Sequence, residues 1–367
     1  MLAALRSSTF VKAFALAGAC LAFFALAYVF VELISGGNWR DLCDWDCKWY
    51  QSIAERGYDV DPRARPYDLQ ANYAFYPAFP LAVSAIMAVT PLSFSQAGML
   101  LSGLFSGLFC WLVLVFYREL RLPDERAAIV FLLAFLLSPF SLANHIPYTE
   151  MLFNLAALAT FVAWRREQYV AAALCGFVLT ATRLTGVVLP IALLLELLIR
   201  ERWRIGPMLL RPDARMRALA VMPLGLASFM VYLGLHVGDP LANVRVQEFG
   251  WDHGFNNPLL SLATAFFANS ALAAAGAGTI IGVTTLLVLG IRAGRIPIPL
   301  AALAFFSYAI PATSRMMSVP RYALAIFPVY LVAAMLPKPL QRVLIPLLAL
   351  LQIVAVHLWL THHLVLV

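Results

Sequence analysis

Long apolar runs, most of them roughly 17–25 residues in length, recur along this 367-residue chain and constrain its fold more than any other feature. Each run is long enough to cross the hydrocarbon core of a bilayer, and a composition of 62% hydrophobic and 12% charged residues is unlike that of a soluble protein. Alternating strand patterns are absent, and lipid cannot satisfy open backbone groups. The sequence therefore predicts an all-α polytopic membrane protein, with residues 1–367 forming one transmembrane domain.

Eleven membrane-spanning helices are predicted, with boundaries accurate to a few residues. They cover residues 11–34, 96–117, 127–143, 150–165, 168–183, 184–199, 219–237, 271–291, 298–313, 322–336 and 343–361. The first run follows Arg6 and Lys12 and exceeds the apolar core of about 7–15 residues that is usual in a signal peptide. No small-residue cleavage site follows it, so we interpret it as an uncleaved span.

The basic residues cluster in short loops between the spans. With loops assigned by the positive-inside rule, 17 of the 26 lysines and arginines, among them Arg165 and Arg204, fall on the cytoplasmic side. This assignment requires that residues 75–92 do not cross, so that proline-broken segment is predicted to be interfacial or re-entrant on the outer face. Because the net charge of +7 is confined to loops, a nucleic-acid partner is not expected.

The acidic residues show the opposite distribution and fall mainly on the outer side. Two large extracytoplasmic loops are predicted there, residues 35–95 with interfacial helices and residues 238–270. Any chemistry that the chain performs is therefore expected to face outward.

The densest polar stretch, residues 44–58, follows soon after the first span. Asp46, Trp49 and Tyr50 are three to four residues apart and share one face if the stretch is helical. A carboxylate with aromatic walls suits a sugar or hydroxyl substrate, because the rings can stack on the sugar while Asp46 accepts a proton. In the alternative interpretation the tryptophans belong to the interfacial aromatic belt, and Asp44 and Asp46 are solvated.

A second polar motif, Asn-His-Ile-Pro-Tyr-Thr-Glu at residues 144–150, lies where the third span ends and the fourth begins. Glu150 opens a helix, so complementing the helix dipole explains part of its presence. That explanation does not cover its coincidence with His145 and Tyr148, and acids at membrane depth are commonly functional. All three are therefore candidate site residues.

Three arginines on or near the outer side form a further set of candidates. Arg183 lies between two short apolar spans, where an unpaired guanidinium is costly without an anion or a water-filled cavity. A lipid phosphate suits its planar fork, and snorkelling to the interface is the alternative. Arg315 and Arg321 also run against the positive-inside trend, and simple contact with lipid headgroups is the alternative for one of them.

The second outer loop begins with Gly-Asp-Pro-Leu at residues 238–241. Its polar and aromatic residues suit carbohydrate binding, with Asp239 as a candidate ligand. Asp-Pro is equally a plain turn signal, so both interpretations stay open.

The five cysteines fall into two groups. Cys20, Cys110 and Cys175 lie in apolar runs and are predicted to be packing residues. Cys43 and Cys47 flank Asp46, and they pair if the loop faces an oxidising compartment or stay free thiols otherwise. A zinc site is not expected, because no histidine lies nearby.

Taken in order, these motifs resemble the GPI mannosyltransferase II family and its bacterial relatives in the GT-C superfamily. The matching segments are Trp-Asp-Cys-Lys-Trp-Tyr at 45–50, Phe-Tyr-Pro-Ala-Phe-Pro at 75–80, Pro-Tyr-Thr-Glu at 147–150, Thr-Arg-Leu-Thr-Gly at 182–186, Gly-Asp-Pro-Leu at 238–241 and Arg-Tyr at 321–322. They span most of the chain, and the first is the most specific. Two departures are an acidic residue, Asp44, beside the first motif and Leu184 where proline is common.

The resemblance implies a GT-C-like bundle in a bacterial inner or plasma membrane. It also implies an enzyme that transfers a sugar, usually mannose, from a polyprenyl phosphate to an extracytoplasmic lipid, glycan or protein acceptor. Asp46 maps onto the family's key aspartate, with Asp44 and Glu150 as further catalytic candidates. Substrate contacts are expected from Trp49, Tyr50, Tyr76, His145, Tyr148 and Asp239.

The chemistry of such a transfer agrees with these residue types. A lipid phosphate leaves as a stabilised anion, so the site needs positive charge, which Arg183, Arg321 and Arg315 can supply. The acceptor hydroxyl loses its proton to Asp46, and attack opposite the phosphate inverts the anomeric centre. No cofactor is required by this scheme, although a divalent metal stays open. The alternatives are a lipid or sugar transporter or flippase, and a noncatalytic assembly subunit.

Overall fold

The computed structural model describes residues 2–35, 42–59, 70–203, 210, 212–251, 257–267, 271–313 and 319–361. All regular secondary structure in these ranges is helical. The α-helices are α1 (Leu2–Ile34), α2 (Asp46–Arg56), α3 (Ala78–Val89), α4 (Phe94–Phe116), α5 (Glu125–Leu136), α6 (Leu142–His145), α7 (Glu150–Arg165), α8 (Tyr169–Thr182), α9 (Val188–Arg200), α10 (Ala214–Val221), α11 (Leu224–His236), α12 (Ala242–Trp251), α13 (Pro258–Phe267), α14 (Ala271–Arg292), α15 (Ile298–Ala312), α16 (Val319–Leu324) and α17 (Lys338–Leu360). Short 3₁₀ segments occur at Asn72–Ala74, Pro139–Ser141, Leu184–Val187 and Phe327–Met335.

The structure does not confirm the count of eleven spans. Within the described residues, five helices are long and apolar enough to cross a membrane, and a sixth is obtained if α5 and Pro139–His145, bent by 72°, form one span. The five are Ser8–Ile34, Phe94–Phe116, Ala214–His236, Ala273–Arg292 and Lys338–Leu360.

The remaining predicted spans are short or broken. Helices α7, α8, α9 and α15 have 16, 14, 13 and 15 residues, which at 1.5 Å per residue falls short of a hydrocarbon core of about 30 Å. The span predicted at 322–336 instead consists of the end of α16 followed by 3₁₀ turns from Phe327 to Met335. Pro328 near the start of those turns explains the break, because proline disfavours helical geometry in the residue before it.

The segment at residues 75–92, predicted not to cross, contains the 12-residue helix α3. Its length of about 18 Å at the standard helical rise is too short for a straight crossing. Helix α3 packs against α2 and α4, and Phe79 from α3 is fully buried there. The side of the membrane on which this segment lies stays a prediction.

Helix α7 has the central place in the packing and brings the polar motifs together. It packs against α4 and α8, while α16 packs against α14 and α15. A large apolar core surrounds α4, α5, α7 and the Phe327–Met335 turns, and a second apolar core surrounds α2 and α3. The first residues of α2 and α7, which are polar, lie near the turn after α8 and near α16, as their hydrogen bonds to Arg183 and Arg321 show.

Candidate active site

A buried cluster of charges joins these elements. The Arg321 guanidinium on α16 donates from Nη2 to Asp46 Oδ2 at 2.6 Å and from Nε to Glu150 Oε1 at 2.7 Å. Arg321 is only 1% exposed, so both of its ion pairs are removed from solvent. A buried cation of this kind requires close partners, and the two carboxylates provide them.

Arg183 extends the cluster on the other side of Glu150. Its Nη2 donates to Glu150 Oε1 at 2.6 Å, and its Nε donates to Thr149 Oγ1 at 3.0 Å. Glu150 Oε1 thus accepts from both arginines, whereas Glu150 Oε2 is buried with no hydrogen-bond partner among the described residues. Glu150 consequently holds the two guanidinium groups close together.

Local structure explains where each charge stands. Asp46 and Glu150 are the first residues of α2 and α7, where the helix dipole favours a carboxylate. Arg183 follows the last residue of α8, and the next turn packs tightly on that helix at Gly186. A Cβ added at Gly186 would collide with the carbonyl oxygen of Leu179. Only glycine therefore allows the turn that follows Arg183 to pack this closely on α8.

A disulfide between Cys43 and Cys47 brackets the start of α2. This pairing decides between the two alternatives that the sequence left open. Trp45, which precedes α2, has a φ of 53°, an unusual value for a residue with a side chain. The cross-link and the tight turn together fix the residues on either side of Asp46.

Aromatic rings flank both guanidinium groups. Arg321 lies 5.0 Å from the ring centre of Tyr148 and 5.2 Å from that of Tyr322. Arg183 lies 5.5 Å from the Tyr322 ring and 5.8 Å from the Phe153 ring. Cation–π contacts of this kind stabilise a desolvated cation without neutralising it, so the rings add to the stabilisation that the carboxylates give both arginines.

The cluster borders a cavity of about 370 Å³. Its charged lining residues within the described part of the chain are Asp46, Arg183 and Arg321, and Glu150 is not among them. Uncharged polar and aromatic side chains complete the wall; they are Tyr50, Phe75, Tyr76, Thr182, Thr185, Asn243, Gln247, Ser307, Thr313 and Tyr322. The cavity thus combines two cations, one carboxylate and a neutral hydrogen-bonding wall.

Burial shapes the protonation of the residues from α2. Desolvation raises the pKa of Asp46 above its ordinary value, and the nearby Arg321 opposes that rise. Desolvation, with the Asp46 carboxylate as a smaller cause, also raises the pKa of the Tyr50 hydroxyl. Tyr50 is therefore a neutral hydrogen-bonding group, and Asp46 is a stronger base than a solvated aspartate.

Five of the residues predicted from sequence line this cavity. They are Asp46, Tyr50, Tyr76, Arg183 and Arg321. Glu150 and Tyr148 lie directly behind the wall, Glu150 through its ion pairs and Tyr148 through its ring contact with Arg321. Arg315, the third predicted phosphate ligand, lies outside the described residues.

Four other predicted site residues lie away from the cavity wall. Asp44 pairs with Lys48 at 2.6 Å, and its carbonyl oxygen accepts a hydrogen bond from the Tyr148 hydroxyl at 2.8 Å. Trp49 stacks against Phe75 at a centroid distance of 6.0 Å. Both contacts lie within the loop around α2 rather than on the cavity wall, and the predicted roles of Asp44 and Trp49 stay predictions.

His145 and Asp239 are likewise engaged elsewhere. His145 is buried, stacks on Phe24 at 5.2 Å and bonds through Nε2 to the Leu136 carbonyl oxygen at 3.0 Å. Asp239 accepts from the Leu241 backbone at 3.0 Å and pairs with Arg245 at 3.2 Å. The turn interpretation of Asp239 is thus the one that matches its contacts.

Several cavity residues were not singled out from the sequence. Asn243 and Ser307 belong to no recognisable motif: Asn243 is one of several polar residues of α12, and Ser307 is a single serine in the largely apolar α15. Asn243 Nδ2 donates to the Tyr76 hydroxyl at 2.8 Å, and Gln247 Nε2 donates to the Ala74 carbonyl oxygen at 3.3 Å. These bonds attach α12 to the segment before α3 and bring its amides to the cavity.

The described residues contain no group of three His, Cys, Asp or Glu side chains placed to hold a metal ion. The two carboxylates of the cluster, Asp46 and Glu150, share Arg321 instead.

No family model matches the sequence, and no curated protein matches it either. Among solved structures, the fold is similar to the crystal structure of ArnT from Cupriavidus metallidurans bound to undecaprenyl phosphate, with a TM-score of 0.52 and 19% sequence identity. The similarity covers 87% of this chain but only 60% of the ArnT chain. It confirms the predicted fold class: the described residues form an all-helical, multi-pass integral membrane protein whose fold is similar to that of the ArnT structure.

Proposed function

We propose that the protein is a membrane glycosyltransferase that moves a sugar from a polyprenyl-phosphate donor to an acceptor hydroxyl with inversion. The observation that carries this proposal is the meeting of Arg183, Arg321 and Asp46 on the wall of one cavity. A polyprenyl-phosphate glycosyl donor requires cationic groups for its leaving phosphate and a base for the incoming hydroxyl. The cavity provides both next to neutral polar groups.

The similarity to ArnT supports a lipid-phosphate ligand, since that protein was crystallised with undecaprenyl phosphate. The motif resemblance to the GPI mannosyltransferase II family supports mannose as the sugar and a bacterial inner or plasma membrane as the location. The acceptor is a lipid, glycan or protein that carries a free hydroxyl. The two comparisons thus support different parts of the proposal, the lipid phosphate and the sugar.

In the reaction, the acceptor oxygen forms a bond to the anomeric carbon while the bond from that carbon to the phosphate oxygen breaks. The electron pair leaves with the polyprenyl phosphate, whose negative charge Arg183 and Arg321 stabilise. The hydroxyl proton passes to Asp46, whose desolvated carboxylate is a better base than one in water. Glu150 contributes by holding both arginines in place rather than by touching the substrate.

The ion pair between Arg321 and Asp46 gives donor binding a second effect. In the free protein Asp46 Oδ2 accepts from Arg321, which lowers the basicity of this carboxylate. A phosphate that takes over the Arg321 donor releases Asp46 for the acceptor hydroxyl. The base is then fully active only when the donor is present, which disfavours side reactions at the empty site.

We propose that the cavity opens to the extracytoplasmic side. The Cys43–Cys47 disulfide beside Asp46 supports this orientation, because disulfides persist in oxidising compartments. The distribution of 17 basic residues on the opposite side supports it as well. Single cysteines at Asp239 and Arg202 test it: an impermeant thiol reagent on intact cells should label the first and spare the second. The reverse pattern contradicts the orientation.

Purified protein with labelled undecaprenyl-phosphate mannose and a lipid extract tests the activity. We expect a labelled product for the native chain, and a rate lower by about 10²–10⁴ for Asp46→Asn, which keeps size but removes the base. Asp44→Asn is the matched control, because it changes a carboxylate two positions away that does not line the cavity. Equal losses in both variants contradict the assignment of Asp46.

The same assay separates the transferase from the transporter or flippase alternative. A flippase would bind the sugar lipid and move it across proteoliposome membranes without forming product. Binding and translocation without transfer, unaffected by Asp46→Asn, would overturn the proposed function.

A further inference from the structure

Two buried polar atoms on the cavity wall have no hydrogen-bond partner among the described residues. They are Oδ1 of Asn243 on α12 and Oγ of Ser307 on α15. Both residues line the cavity, and they are 4% and 2% exposed. Of the nine buried side-chain atoms that lack a partner among the described residues, these two belong to residues that line the cavity, so a ligand there can supply the hydrogen bonds that buried polar groups usually make.

The pairing of Asn243 with Tyr76 makes this indication independent of how the amide is oriented. As placed, Asn243 Nδ2 donates to the Tyr76 hydroxyl, which leaves Oδ1 as an acceptor without a donor. With the amide turned over, Oδ1 accepts from Tyr76 and Nδ2 is left without an acceptor. In either orientation the pair needs one more hydrogen bond, and a ligand hydroxyl can serve as its donor or its acceptor.

The charge of the wall limits what this ligand can be. Of the described lining residues only Asp46 is acidic, and it already accepts from Arg321. The other lining residues from α12, Val244 and Gln247, are neutral, and so is Tyr76, which contacts Asn243. Once the donor phosphate has taken over Arg321, Asp46 serves the acceptor hydroxyl, so a cationic aminosugar would compete with the acceptor for this carboxylate. A uronic acid would compete with the phosphate for the arginines.

We propose that Asn243, together with Tyr76 and Ser307, recognises hydroxyl groups of the transferred sugar, and that the cavity selects a neutral hexose. This inference rests on the proposed function, since it takes the cavity to hold the sugar of the lipid donor. It assigns the phosphate to Arg183 and Arg321 and the sugar ring to α12 and α15. The arginines then bind the phosphate of the donor, and α12 and α15 bind its sugar.

Direct binding tests the inference without depending on turnover. The affinity of the purified protein is measured for undecaprenyl-phosphate mannose and for undecaprenyl phosphate alone. We expect the native chain to bind the sugar lipid more tightly than the bare lipid phosphate. Asn243→Ala should weaken binding of the sugar lipid about tenfold, the value of one buried hydrogen bond, and leave the bare lipid phosphate unchanged.

Val244→Ala is the matched control, because it removes a neighbouring side chain of the same cavity wall that has no hydrogen-bonding atom. It should change the affinity for the sugar lipid less than twofold. Equal weakening of both lipids by Asn243→Ala, or equal binding of the two lipids by the native chain, overturns the inference. Selective binding without transfer to any acceptor leaves the inference standing and overturns the proposed function instead.

Asn243→Asp provides a second test that does not depend on loss of affinity. The change keeps the shape of the side chain and adds a carboxylate where the wall is neutral. A shift of preference toward an undecaprenyl-phosphate aminosugar over the mannose lipid supports a position beside the sugar ring. An unchanged ratio of the two affinities contradicts it.

Discussion

Helix α7 has an arginine–carboxylate cluster at each end, and the two clusters differ in everything except their residue types. At its start, Glu150 pairs with Arg183 and Arg321 in the buried cluster that borders the cavity. At its end, some 22 Å away by the helical rise, Arg165 pairs with Glu196 at 2.9 Å. The side chains of the first cluster are 0–13% exposed. In the second, Arg165 and Glu196 are 19% and 25% exposed, and Arg200, which also pairs with Glu196, is 62% exposed.

The two clusters also differ in how many oxygens of the central carboxylate accept hydrogen bonds. At the far end, Glu196 accepts hydrogen bonds from Nη1 and Nη2 of Arg165 and from Nη2 of Arg200, so both of its carboxylate oxygens are paired. At the near end one oxygen of Glu150 serves two arginines while the other has no partner among the described residues. The carboxylate at the far end thus has both oxygens paired, whereas the buried carboxylate keeps one oxygen that accepts no hydrogen bond from the described residues.

Removing Arg321 should produce the largest effect, because it removes the cation that Asp46 and Glu150 share in the buried cluster. Arg321→Met leaves the Asp46 carboxylate buried without its cation, which costs about 3–5 kcal/mol of unfolding free energy. Transfer activity should fall below detection. Thermal unfolding and donor binding measure the two effects, and the double variant Asp46→Asn/Arg321→Met should recover stability without activity. A single variant as stable as the native chain would contradict the described ion pairs.

The second-largest effect should be the pH dependence of the transfer rate, which reports on Asp46 in the buried cluster. Burial raises the pKa of Asp46, and a base must be deprotonated, so the rate should fall about tenfold per pH unit below a pKa that exceeds the ordinary value of about 3.9. The same shift means that the folded chain binds the Asp46 proton more readily than the unfolded chain does. Its unfavourable effect on stability is therefore absent below the unfolded pKa and appears as the pH rises through the folded one. A profile of transfer rate against pH measures this fall at low pH, and the fall should disappear in Asp46→Asn.

A smaller change tests the geometry of the charge at the buried end. Arg183→Lys keeps the cation but loses the planar fork that reaches Thr149 and Glu150 together. We expect donor affinity to fall about tenfold, with little change in the free energy of unfolding. Lipid-phosphate binding and thermal unfolding check this. Equal affinity in the native chain and the variant would mean that charge alone suffices at this position.

Glu196→Gln should have the smallest effect and sharpens the contrast from the other end. Partly exposed ion pairs contribute about 0–1 kcal/mol, so unfolding should change within that range. The transfer rate should stay within twofold of the native value, because this cluster lies about 22 Å from the cavity along α7. A loss of activity comparable to that of Arg183→Lys would show that the two ends are coupled.

The sequence predicted the membrane fold and the convergence of its main charges for one physical reason. In a chain this apolar, Asp46, Arg183 and Arg321 are costly unless they meet one another or a polar cavity, so their presence alone predicts proximity. The structure brings them together, and their roles in phosphate binding and proton transfer stay predictions. The fold was predictable because long apolar runs leave few alternatives in a bilayer.

The rest could not be read from local patterns. Local sequence does not show that His145 and Asp239 lie away from the cavity wall, because residue spacing does not determine which way a side chain faces once helices pack. Asn243 lies in a polar helix and Ser307 in an apolar one, and only the tertiary structure shows that both line one cavity. The predicted count of eleven spans is not confirmed, and one predicted span is broken where apolar composition continues through a proline, at Pro328.

The buried cluster also dictates when this protein can become competent during its synthesis. The bond from Arg321 to Asp46 closes over 275 residues, and the bond from Arg321 to Glu150 closes over 171 residues. Until α16 docks, Asp46 lacks the cation that it pairs with here and Glu150 has only Arg183, and a carboxylate without a cation is costly at membrane depth. We therefore expect the cluster to be completed late in biogenesis, and a chain truncated before Val319 to leave Asp46 without Arg321.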